Sequence, residues 1–166
     1  SSTDALFPAQ IHDVKAAIRF LRGNASEYKI DSSFVGVTGS SSGGHLAAMA
    51  GTTSHNKLMD GNIGSFLNYD SHVNAVVDWF GPTDFLLMDI CGSKMVHNAV
   101  NSPESKLIGG AIQENKEKAS AANPINYISS NTPPFLATNG KTWPGETMSF
   151  FVEDGFIATL IVFDLS

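Results

Sequence analysis

Residues 34–52 read FVGVTGSSSGGHLAAMAGT, and the fold turns on how this stretch is parsed. Phe34, Val35 and Val37 make a short apolar, β-branched run that predicts a buried strand. Gly39-Ser40-Ser41-Ser42-Gly43 interrupts it, and His45-Leu46-Ala47-Ala48-Met49-Ala50 resumes with helix-favouring residues. A strand, a tight turn of small residues and a helix are the setting that a G-x-S-x-G nucleophile motif requires. The middle residue of such a turn is strained so that its side chain stands clear of the sheet, and the residues two before and two after it must be small. Gly39 and Gly43 meet that demand around Ser41. The unpaired N–H groups and positive dipole end of the following helix suit an oxyanion forming beside the serine. Ser41 is therefore the candidate nucleophile and the Ser42 N–H a candidate oxyanion donor; Ser40 and Ser42 are off the centre of the turn. A bare G-x-S-x-G also occurs in purely structural turns, so the flanking strand and helix carry the reading.

Working outward, 166 residues with 42% hydrophobic and 16% charged side chains are enough to bury a substantial core. Sixteen acids against ten bases leave a net charge of −6, which argues against nucleic acid or anionic lipid as partners. No apolar run approaches the about 18 residues of a membrane span. The single cysteine, Cys91, has no partner for an internal disulfide and no clustered ligands for a metal, and reads as a buried thiol compatible with a reducing compartment. No metal-ligand spacing is present and a serine mechanism supplies its own nucleophile, so no cofactor is expected.

Ahead of the central stretch, Ile11, Val14, Ile18, Leu21 and Ala25 recur at helical spacing after Phe7-Pro8, with Lys15, Arg19 and Arg22 assigned to the solvated face. His12 and Asp13 on this helix point in different directions and read as structural or solvated. Behind it, residues 52–69 are polar and glycine-bearing, a loop. Residues 73–81, VNAVVDWFG, form a strand too apolar to have a wet face, as in the middle of a parallel sheet. Ser102 and Pro103 are the cap and first position of another helix. Residues 135–138 are a third strand, residues 148–153 a short helix and residues 158–163 a fourth strand. Strands alternating with helices predict an α/β fold built on a mainly parallel sheet of about four strands.

Four blocks, FPAQIHDVKAAIRFLR, GVTGSSSGGHLAAMAGT, VVDWFGPTDF and SAANPINYISSNTPPFLATNG, together resemble the acetyl-esterase and feruloyl-esterase-like branch of the α/β-hydrolase superfamily. That resemblance implies a partial α/β-hydrolase fold, a serine carboxylic-ester hydrolase, and small ester or acylated-saccharide substrates. It further implies a histidine base, an orienting acid and a second oxyanion donor. The second donor belongs to a His-Gly-Gly loop ahead of the first helix, and the histidine follows the last strand. The acid is expected in a pattern H-G-x-x-D, where this chain has Asn139-Gly140-Lys141-Thr142-Trp143. The expectation is a single domain over residues 1–166, truncated at both ends. Asp84, just past the second strand where some lipases of the superfamily place the acid, is the best internal substitute. Asp78 within the strand reads as structural, and His45, one turn along from Ser41, as a packed or hydrogen-bonded support. His55, His72 and His97 fall in or near loops. Missing upstream strands would leave the edge of residues 34–38 bare, which predicts a homo-oligomer through that edge. A non-catalytic remnant that folds and binds esters is the alternative reading, and a lipase-like or peptidase-like hydrolase a third.

Overall fold

Alternating strand and helix patterns are realised in a computed structural model that describes residues 4–90, 94–138 and 159–162. In chain order the elements are α1 (Ala9–Gly23), α2 (Ala25–Tyr28), β1 (Val35–Ser40), α3 (Ser42–Thr52), α4 (Lys57–Asp60), β2 (Ala75–Trp79), α5 (Pro103–Ile108), α6 (Lys116–Ala121), β3 (Phe135–Thr138) and β4 (Thr159–Val162). The four strands form one parallel sheet in the order β3-β2-β1-β4. Its register sets Ser40 opposite Trp79 and Trp79 opposite Thr138, so the carboxyl ends of β1, β2 and β3 finish together. In open α/β sheets this is the edge where ligands bind.

Helix α3 lies against β1 and β2, and α1 packs on α3. Between these layers Ile11, Val14 and Ile18 of α1 meet Val35 and Val37 of β1 and Leu46, Met49 and Ala50 of α3. A second cluster of Phe85, Ile108, Ile112, Ala119 and Ala122 lies under the chain between β2 and β3, with Phe7 touching both. Ser102 caps α5 as its sequence predicts, accepting a hydrogen bond from the Ser105 N–H at 3.0 Å.

Three expectations are corrected. The edge of β1 is not bare: β4 pairs along it in parallel, from Val35 opposite Thr159 to Thr38 opposite Val162. A β-branched, apolar segment of the same chain satisfies the ladder that was expected to recruit a second copy, so the argument for assembly through that edge no longer applies. Lys15 and Arg19 are not solvated. Residues 57–71 cover that side of α1, and Lys15 Nζ donates to the Thr53 carbonyl at 2.6 Å and Asp60 Oδ1 at 2.8 Å while Arg19 donates to the Asp60 and Ile63 carbonyls. Nor is the polar stretch wholly irregular, because α4 forms within it behind an Asn56 cap that accepts from the Leu58 N–H. Cys91, Trp143 and the helix expected at residues 148–153 lie outside the described residues.

Candidate functional site

Ser41 joins β1 to α3 with φ 53° and ψ −118°, a conformation that non-glycine residues seldom adopt. Two hydrogen bonds hold it there. Its N–H donates to the Trp79 carbonyl at 2.9 Å, and its own carbonyl accepts from the His45 N–H at 3.0 Å. The turn is thus pinned to β2 on one side and to the first turn of α3 on the other, while the serine remains exposed. The small-residue requirement is steric: a Cβ on Gly39 would stand 2.4 Å from the Gly43 carbonyl carbon. Ser42, the first residue of α3, is also exposed, and the N–H groups of a first helical turn have no partner within the helix.

The same crowding continues beneath the turn. A Cβ on Gly44 would come 2.2 Å from Asp78 Oδ1, and one on Gly81 would come 2.4 Å from the His45 nitrogen. Asp78 Oδ1 accepts a hydrogen bond from the Gly81 N–H at 2.7 Å, folding the chain after β2 tightly under the start of α3. Burial raises the Asp78 carboxyl above its ordinary range, opposed by the bond from Gly81. Its reading as a structural residue agrees with this placement. Between Trp79 and Gly81, Phe80 has φ 49° and donates its N–H to the Thr138 carbonyl at 2.7 Å. A second non-glycine residue with positive φ therefore sits at the end of the strand next to β1. Sequence reasoning missed Phe80, because an aromatic at the end of an apolar strand reads as core.

Asp84 is held by a backbone and an amide donor. Its Oδ1 accepts from the Leu86 N–H at 3.0 Å and from Asn123 Nδ2 at 2.6 Å, and Asn123 Oδ1 accepts from the Phe85 N–H at 2.9 Å. These bonds brace the loop after β2 against the segment ahead of β3. The histidines are engaged elsewhere too. His45 is buried, donates from Nε2 to the Ala122 carbonyl at 2.7 Å and packs on Phe85 at a ring separation of 5.1 Å. Burial lowers its basicity, opposed by the bond to Ala122. His12 donates to the Leu58 carbonyl, His72 shares a hydrogen bond with Ser54 Oγ and stacks on His55, and His97 pairs with Glu104. Among the described residues no group of three or more His, Cys, Asp or Glu side chains is placed to hold a metal, and no helix is long and apolar enough to cross a membrane. A groove lined by Thr52, Ser54, His55 and Tyr127 lies at the opposite end of α3 and does not include Ser41.

Comparison with known proteins gives the chain its relatives. It is 49% identical to a bifunctional GH43-CE protein of Bacteroides eggerthii whose solved structure superposes with a TM-score of 0.77, covering 82% of this chain and 18% of that one. A truncated form of a carbohydrate esterase from gut microbiota is 44% identical with a TM-score of 0.76, covering 82% of this chain and 50% of that one. Esterase LipQ of Mycobacterium tuberculosis is 30% identical over 139 residues, 83% of this chain and 31% of that protein. The chain spans about a third of the length of the curated relatives it matches. Residues 1–144 match the profile of the BD-FAE family, and the chain belongs to that family of α/β-hydrolase esterases.

Proposed function

We propose that the chain carries the nucleophile half of a carboxylic-ester hydrolase acting on acylated saccharides, with acetyl or hydroxycinnamoyl as the acyl group. The observation that carries this reading is the backbone of Ser41, φ 53° and ψ −118° at an exposed position between a parallel strand and a helix start. Strain of this kind costs on the order of 1–3 kcal/mol and persists where the surroundings over-determine it. Glycine contacts and the bonds to Trp79 and His45 supply that over-determination. Relatives named as esterases, and a carbohydrate esterase at 44% identity, support the reaction class and the saccharide.

In the proposed reaction Ser41 Oγ attacks the ester carbonyl carbon, its proton passes to a base, and the carbonyl π electrons move to oxygen. The Ser42 N–H and the dipole of α3 stabilise that oxyanion. Collapse expels the alcohol, which takes a proton, and water then releases the acid from the acyl-serine. Asp84 is retained as the proposed acid, its bond to Asn123 holding the carboxylate in the loop after β2. With the five histidines bonded or stacked elsewhere, removal of the serine proton is the slow step, and loss of the base in triad enzymes costs on the order of 10⁶-fold. The expected activity is therefore weak and rises with pH as hydroxide takes the proton. Hydrolysis of 4-nitrophenyl acetate by this chain beside Ser41→Ala tests the reading. A fall to the uncatalysed rate in the variant is the expected result, and equal rates would remove Ser41 from catalysis.

A further inference from the structure

Phe80 carries two unfavourable features at once. Its backbone is in the left-handed region at φ 49°, where a bulky side chain is an outlier, and the residue is 57% exposed just past a strand whose residues are buried or half-buried. Neither is forced by a lack of alternatives, since glycine at this position would relieve the backbone and a polar side chain would relieve the exposure. The neighbourhood holds the residue in place instead. Its N–H is bonded to Thr138 of β3, Trp79 before it receives the Ser41 N–H, and Gly81 after it is wedged against Gly44 and His45. Consecutive Cα atoms are about 3.8 Å apart, so Phe80 is one residue from the carbonyl that fixes the proposed nucleophile. The two strained residues of adjacent strands thus stand side by side at the carboxyl edge of the sheet.

We propose that Phe80 is a specificity-determining platform, whose exposed ring takes the flat face of a ring-bearing group on the ester held at Ser41. This rests on the reading of Ser41 as the nucleophile. A flat apolar face is presented both by an aryl group and by the C–H face of a pyranose, and stacking on an aromatic side chain recognises either. The contact adds about 0.5–1.5 kcal/mol beyond area burial, a factor of roughly two to thirteen in affinity. An ester with no ring gains nothing from it.

The test measures binding in the Ser41→Ala background, where turnover does not interfere, by chemical-shift titration with phenyl acetate, methyl 3-O-acetyl-β-xylopyranoside and ethyl acetate. Phe80→Gly is expected to weaken one or both ring-bearing esters about five- to tenfold and to leave ethyl acetate unchanged, and whichever ester loses affinity identifies the aryl or the sugar source. The melting temperature of Phe80→Gly is expected to equal or exceed that of its parent, because strain is relieved. A merely structural Phe80 would lower it instead. Unchanged binding of both ring-bearing esters, equal weakening of all three, or no ring-dependent binding in the parent would each overturn the proposal. Failure of the Ser41 reading is separately visible as hydrolysis that survives Ser41→Ala.

Discussion

Ser41 stays in its strained conformation because glycines let three backbone segments approach more closely than any Cβ permits. Gly39→Ala would push a methyl to within 2.4 Å of the Gly43 backbone, which cannot yield without moving α3 off β1. The expected cost is about 3 kcal/mol or more, read by chemical denaturation; a neutral variant would show that the turn has slack. His45 titrates with a definite sign. Burial holds its folded-state pKa below the ordinary 6.5, so between those two values the unfolded chain binds the extra proton. Stability from this group is complete above about pH 6.5 and falls as pH drops below it. Replacing His45 by Gln should flatten that part of the stability-versus-pH curve, and an unchanged slope would assign it to other groups such as His72, whose pKa burial also lowers. The turn was legible in residues 39–43 because its steric demand is local. Asp78, Gly44 and Gly81 were not legible as one packed unit, since nothing local ties residue 44 to residue 81. Asp84 was legible only in part for the same reason: its position after a strand was readable, but its bond to Asn123, far along the chain, was not.

Among the elements, the strands were the most readable, since all four expected segments appear, although β2 alternates buried with half-buried residues where its apolar run predicts burial on both faces. Which strand lies beside which was not readable. Residues 158–163 look like a strand whatever they pair with, and their place on β1 is a tertiary choice that removed the expected bare edge. Helix α4, at four residues, is too short to show a period, although Asn56 marks its start. The polar side of α1 was misread because three- and four-residue spacing reports one buried face and not a second one. Its lysine gives the prediction for this scale. Lys15 is fully buried against Asp60 and the Thr53 carbonyl, and burial lowers its pKa while Asp60 opposes. Lys15→Met should destabilise the fold by about 2–4 kcal/mol in chemical denaturation, because it leaves Asp60 without its charge partner. Adding Asp60→Asn should restore part of the loss. Full stability in Lys15→Met alone would mean that the pair contributes nothing to docking α1.

At the scale of the whole molecule, the parallel sheet, the packing of α1 on α3 and the loop braced by Asp84 and Asn123 all converge on the carboxyl edge, where Ser41 and Phe80 are displayed together. Kinship with esterases fits that arrangement. The most direct measurement is peptide mapping by mass spectrometry after incubation with 4-nitrophenyl acetate or a fluorophosphonate. The covalent adduct is predicted on Ser41, absent from Ser41→Ala, and found on neither Ser40 nor Ser42. An adduct on another residue, or an unmodified Ser41 while ester is being consumed, would contradict the account.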